Sequence, residues 1–311
     1  MSDGQSAPSR SMAPSADWRD VLPLIGAVVT AVAYVAGARL GLAFTIQPAP
    51  VAVLWPPNAI LLAALLLVRA RNWPLILIAV LPVHLAIELR AGVPMPMVLS
   101  WYVSNCSEAL IGAAITRRLI GESGRLNSVR AYLAFFIGAV LLGTSLSSFL
   151  DAGFVAFNDY GAEGFWQVWR TRLGSNMLAT LTIVPLVLGW DRQRLHAILT
   201  AERRDYIEGA CLAAALLLAG ALTFIEPFGS QELGPALLYI PLPLLLWAAV
   251  RFGVLGVTSS LLVVVLLAIH GSMDGRGPFS SLPPMHNVLA VQLFLFLVAP
   301  PLTMLAVVIE E

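Results

Sequence analysis

Long apolar runs separated by short polar turns dominate this chain, and that alternation leaves very few folds open. A helix needs about twenty mostly apolar residues to cross the hydrocarbon core of a bilayer. Within lipid, only helices and closed barrels satisfy every backbone donor and acceptor. Ten runs of suitable character occupy 20–45, 53–69, 73–91, 97–119, 129–152, 168–190, 206–225, 234–250, 252–271 and 285–309. Only RARN separates the second run from the third, and only RFG the eighth from the ninth. Each of these pairs is a tight hairpin or an imperfect pair of short spans, so eight full spans is the alternative. Charged residues make up 12% of the chain, against roughly a quarter in soluble domains. The expected fold is all-α, a polytopic transmembrane helix bundle of about ten spans.

Residues 1–19 differ from the rest. Their Ser, Pro and Ala content cannot bury a core, and they read as a disordered cytoplasmic tail. The first apolar run begins near Val21 and is too long for the apolar core of a cleavable signal, so it reads as the first span. The integral-membrane part is then 20–311.

Every basic residue is arginine, and the arginines alternate along the chain. Arg10, Arg19, RAR (69–71), RRLIGESGRLNSVR (117–130), DRQRLHAILTAERRD (191–205) and Arg251 hold thirteen of the eighteen. The positive-inside rule makes these ends cytoplasmic, with both termini inside. The connections around QPAP (47–50), AGVPMP (91–96), NDYGAEGFW (158–166), EPFGSQELG (226–234) and SMDGRGPFSSLPPMHN (272–287) then face outward.

The second run opens with WPPN, residues 55–58. Proline lacks an N–H and holds its φ near the helical value, so Pro56 and Pro57 are cheap only where a helix starts. Trp55 fits a water–lipid boundary, and Trp73-Pro74 repeats the device. WPPN reads as a boundary anchor and helix start, or as the rigid lip of an outward-opening pocket.

LWPPNAILLAALLL followed by RNWP, then NCSEALIGA (105–113), LTIVPLVLGW (181–190), RFGVLG (251–256), GRGPF (275–279) and NVLAVQLFLFLVAPPLTMLAVVIEE (287–311), resembles the first type of membrane-associated sensor family. The resemblance covers nearly everything after the tail. It implies a sensory input module of the bacterial inner membrane, of the kind followed by PAS, histidine kinase or diguanylate cyclase domains. Its last helix would pass an unknown stimulus to an output in two-component or cyclic di-GMP signalling. One departure is Asn176, where an acidic residue is expected in many relatives. The sequence carries no phosphate-binding glycines, phospho-accepting helix or cyclase signature, so no catalytic residue is expected. The expected partners are the lipid bilayer, a second copy of the chain, cytoplasmic signalling domains in cis or on another protein, and an unknown small ligand, with no nucleic acid and no cofactor.

Polar side chains are expensive inside a membrane and therefore mark candidate sites. Most fall in the outward half: Arg39, Asn58, His84, Glu88, Asn105, Glu108, Asp151, Arg170, Arg172, Asn176, His286, Asn287 and Gln292. This asymmetry suggests a polar chamber open to the periplasm. His84 and Glu88 share one helix face and Asn105 and Glu108 another, so the two pairs can meet. Arg39, Glu88 and Glu108 are expected at the base of the chamber, as a buried ion network or as a ligand- or proton-responsive one, with Trp55, Asn58, His84, Asn105 and Arg172 around it. Anionic or zwitterionic ligands are favoured if Arg170 and Arg172 face inward. No close histidine ligand spacing points to a metal, and Cys106 and Cys211 lie on different spans at different depths. Gly37 and Gly41 form a G-x-x-x-G packing step. A small-solute carrier remains the alternative function, since ten spans, proline-interrupted helices and a faint echo between 53–73 and 239–256 suit one.

Overall fold

A computed structural model describes residues 18–46, 51–121, 126–161, 164–225, 234–279, 282 and 284–311. The expectations for the tail and for the QPAP and EPFGSQELG connections fall wholly or mostly outside these residues. The described chain is a helix bundle: α1 (Trp18–Ala43), α2 (Pro56–Leu67), α3 (Trp73–Arg90), α4 (Met95–Ile120), α5 (Val129–Phe135), α6 (Thr144–Phe157), α7 (Phe165–Leu188), α8 (Arg192–Leu199), α9 (Arg203–Phe224), α10 (Gly234–Leu237), α11 (Pro241–Met273) and α12 (Pro284–Glu310). A π-helical segment, Phe136–Gly143, joins α5 to α6. A two-residue antiparallel ladder, β1 (Thr45–Ile46) against β2 (Val51–Ala52), links α1 to α2 and was not foreseen.

Among the described residues, seven helical stretches are long and apolar enough to cross a bilayer: Leu22–Ala43, Ala70–Arg90, Val129–Phe157, Phe165–Leu188, Arg203–Phe224, Pro241–Met273 and His286–Glu310. Two of the ten expected runs differ from these. The second is the twelve-residue α2, and the fourth is α4, whose Asn105, Glu108, Arg117 and Arg118 dilute its apolar character. The eighth and ninth together form α11, which breaks at Gly253 (φ 62°, ψ −154°) into 241–252 and 254–273. Only glycine reaches that conformation without strain. Outside, Val28, Val32, Ile78, Leu218 and Leu297 are well exposed and apolar, as a lipid-facing surface requires.

At about 1.5 Å per residue, α2 is roughly 18 Å long, well short of the ~30 Å hydrocarbon core. It is also buried nearly all round, with Leu61, Leu62, Leu65 and Leu66 inaccessible. Its start lies within protein, and at its finish Leu65 and Leu66 are inaccessible while Leu67 is 59% exposed, so the buried backbone groups at each end need partners. The sequence provides for each. At the start, Pro56 and Pro57 have no N–H to satisfy. At the finish, Arg117 Nη2 donates to the carbonyls of Leu65 (3.2 Å), Leu66 (3.1 Å) and Val68, and Trp73 Nε1 donates to Leu65 at 2.8 Å. Trp73 thus acts as a helix-end donor as well as a boundary residue.

Gly37 and Gly41 let α1 close onto this start. A Cβ on Gly37 would meet Ile60 Cδ1 at 2.6 Å, and one on Gly41 would meet Trp55 Cε3 at 2.7 Å. The G-x-x-x-G step is therefore a packing face.

Candidate functional site: a carboxyl cage inside the bundle

Four helices close a ring, since α2 packs on α4, α4 on α6, α6 on α7 and α7 on α2. Glu108 of α4 points into it and is 1% exposed. Its Oε2 accepts from Asn58 Nδ2 of α2 at 2.9 Å, Ser147 Oγ of α6 at 2.7 Å and Asn176 Nδ2 of α7 at 2.7 Å. Each wall of the ring contributes one uncharged donor. The π segment just before α6 adds a local irregularity of the kind often found at functional sites. Beyond it, Thr144, Ser147, Ser148 and Asp151 form one buried stripe at helical spacing.

The cage is only half satisfied. Glu108 Oε1, Asn58 Oδ1 and Asn176 Oδ1 have no hydrogen-bond partner among the described residues, nor do the hydroxyls of Ser148 and Ser175. Buried polar atoms are normally paired, so a cluster of unpaired ones needs a cause.

One turn along α6 and α7 lies a second deck. Arg172 Nε stands 3.2 Å from Asp151 Oδ2, too poorly aligned for a hydrogen bond, and the guanidinium covers the Trp101 ring at 4.9 Å from its centroid. Glu88 of α3 is 4% exposed and within electrostatic reach of Arg172 and Asp151.

The expected site residues separate into distinct groups. His84 and Asn105 do meet, on Tyr34. Asn105 Nδ2 donates to Tyr34 Oη at 3.1 Å, Tyr34 Oη is 3.1 Å from His84 Nδ1, and His84 Nε2 is 3.0 Å from the Val98 carbonyl. With the proton on Nε2, every member of this strut is paired. Trp55 is packed with Ala38 and Ala52. Arg39 lies on the exposed face of α1 and Arg170 on that of α7, so neither joins the buried carboxyls. The expected Arg39–Glu88–Glu108 network is therefore corrected: the arginine of the chamber is Arg172. A favoured anionic ligand loses its basis as well, because Arg172 already faces Asp151. Sequence reading missed Tyr34 and Ser147 entirely and left the role of Asn176 in doubt. Thr144, Ser147, Ser148 and Asp151, a polar stripe inside an apolar run, were the available signal for Ser147.

The last helix ties this region to the opposite end of the bundle. Beside the cage, Gln292 Nε2 of α12 donates to the Val53 carbonyl at 2.9 Å, and a Cβ on Gly174 would meet Gln292 Oε1 at 2.4 Å. Eighteen residues and about 27 Å further along, Glu310 accepts from the Val254 N–H at 2.8 Å and from Arg194 of α8 through both carboxylate oxygens. That contact holds the Arg194 guanidinium more firmly charged. Glu311 Oε2 accepts from the Val129 N–H at 3.0 Å. Two consecutive carboxylates thus meet the N-terminal amides of two helical segments and one arginine. Pro300 and Pro301 lie inside α12 between its two anchored ends, and the Pro300 carbonyl accepts from Tyr132 Oη at 3.2 Å.

No curated protein and no solved structure matches the chain. The MASE1 family, a family of membrane sensory input domains rather than catalytic ones, matches residues 27–311, nearly the whole chain. With its apolar helices and its match over nearly the whole length, this chain is a multi-pass membrane protein that belongs to the MASE1 family.

Proposed function

We propose that the chain is the input module of a signalling protein of the bacterial inner membrane, reading its stimulus in the chamber around Glu108, Glu88 and Arg172. Both termini are cytoplasmic, and counting α2, α4 and both halves of α11 gives ten helical segments, an even number. The module works as a homodimer and passes the signal along α12 to a histidine kinase or diguanylate cyclase, in cis or on a partner. A stimulus shifts output only if it interacts differently with two states. The observation that carries this reading is the anchoring of α12 at both ends, by Gln292 beside the cage and by Glu310 at the far end, with a proline pair between.

The orientation is tested with alkaline phosphatase fusions. Those after Pro94, Gly161 and Gly277 are expected to be active and those after Glu122 and His196 inactive; activity at Glu122 overturns the orientation. Transmission is tested with a cyclase joined after Glu311. A response that survives a long flexible linker at that junction removes α12 as the route.

The half-length α2 and the break in α11 also suit a small-solute carrier, in which interrupted helices line the path. Uptake of labelled solute into proteoliposomes would favour that second reading.

A further inference from the structure

We propose that the Glu108 cage binds a sodium ion, held by Glu108 Oε1 and the amide oxygens of Asn58 and Asn176. Three observations lead there. The first is the set of unpaired atoms. All three of these oxygens lack partners among the described residues, and their residues are at most 4% exposed. Amide O and N atoms are about 2.3 Å apart by standard bond lengths. Because both Nδ2 atoms lie within 2.9 Å of Glu108 Oε2, each Oδ1 is within roughly 5 Å of it. Turned over about χ2, each amide oxygen would take the place of its nitrogen, within about 3 Å of Oε2, where one small cation can meet both amides and the carboxylate.

The second is charge. Arg172 faces Asp151 and lies within electrostatic reach of Glu88, Glu108 is held by uncharged donors alone, and Arg39 and Arg170 are exposed. In formal charges the chamber carries two negatives more than it neutralises. The N-terminus of α2 approaches Glu108 through Asn58, but a helix end supplies only about half a positive charge. A buried carboxylate with so little compensation is destabilising, and a bound cation offsets that.

The third is ligand type. The cage offers only oxygen, and a single carboxylate, whereas calcium sites generally use several carboxylates and magnesium keeps much of its water. Among the described residues no group of three His, Cys, Asp or Glu is placed to hold a metal. A hard, singly charged ion fits this set. A proton on Oε1 would satisfy one acceptor and leave the other amide oxygen unpaired.

The amides also provide a change of state. In the structure both asparagines present N–H to Glu108. Turned over about χ2, a broad twofold torsion, each presents oxygen instead. Binding would exchange two N–H donors for two coordinating oxygens on α2 and α7, the helices that flank Glu108.

The inference concerns binding by the chain alone, so it can fail while the signalling reading stands, and the reverse. The test uses the full chain in nanodiscs, with 22Na+ retention and thermal unfolding in NaCl, KCl and choline chloride at equal ionic strength. Sodium is expected to be retained and displaced by Li+ but not by choline, and to raise Tm by about 2 °C over choline at ten times its Kd. Glu108→Gln is expected to lower retention at least tenfold, and Asn176→Asp, which adds a second carboxylate, to raise it. No 22Na+ retention by the parent chain overturns the proposal whether or not the variants fold. So does retention unchanged in Glu108→Gln, or a pH-dependent Tm shift that is the same in NaCl and choline chloride, which would identify a proton as the only ligand.

Discussion

The two ends of α12 rest in opposite chemical surroundings. Toward Gln292, the cage surrounds one carboxyl with uncharged donors, and five buried polar atoms there have no partner among the described residues. At Glu310 and Glu311, charge meets charge or a helix N-terminus, and both carboxylates are engaged. A region short of partners can gain from a ligand; a fully paired one can only be broken. The difference divides the molecule into a part suited to binding and a part suited to holding, joined by one helix.

If the holding end is as rigid as its pairing implies, its most damaging change is at the backbone. Gly253 combines φ 62° with a Cβ position 1.8 Å from Glu310 Oε1. Gly253→Val would have to strain the backbone and expel the carboxylate that caps Val254. We expect a loss above about 3 kcal/mol, seen as aggregation or failure to insert. A folded Gly253→Val protein of near-parental Tm would show that α11 does not need its break.

Next in size is Arg117. It is the donor to three carbonyls at the end of α2, and Arg117→Ala removes that donor from Leu66 and Val68, while Leu65 keeps Trp73. The expected cost is about 2–3 kcal/mol, read as a lower Tm in nanodiscs. Arg117→Lys should recover part of it, because an ammonium reaches fewer carbonyls than a planar guanidinium. Equal loss in both would mean that the Arg117 stack on Trp73, at 5.5 Å, matters more than the carbonyls.

These two residues show what the sequence disclosed. Gly253 and Arg117 sit in turns whose arginines oriented the chain, yet their partners are remote in sequence and no spacing rule joins Arg117 to Leu65 or Gly253 to Glu310. The same holds in the cage. Glu108 and Asn58 stood out as polar atoms in apolar runs, but which face each helix turns inward depends on packing. Arg39 is the instructive error. Gly37 and Gly41 were read as a packing step, and a residue two positions from Gly37 lies about 200° around the helix at 3.6 residues per turn. Placing the glycines against α2 already puts Arg39 on the far side, while Tyr34, one turn before Ala38, comes inward. The short α2 was legible in WPP at its start, though its burial was not, because an all-apolar twelve-residue helix looks like any membrane segment by composition.

The smallest of these effects separates two roles of one side chain. Glu310 both caps the Val254 amide and pairs with Arg194. Glu310→Gln keeps an oxygen for the amide and loses the charge, whereas Glu310→Ala loses both. The paired side chains are 31% and 25% exposed, so solvent and salt weaken their attraction. Glu310→Gln should therefore cost only about 0.5–1 kcal/mol at low ionic strength, and less in high salt. Glu310→Ala should cost more, with little dependence on salt, because an unpaired helix N-terminus does not depend on ionic atmosphere. Tm measured for both variants in nanodiscs at low and high NaCl, with choline chloride controls so that sodium binding at the cage is not read as screening, separates the two. If the variants fall together and recover together with salt, the holding end is an ordinary surface ion pair, and the contrast between the two ends of α12 rests on the cage alone.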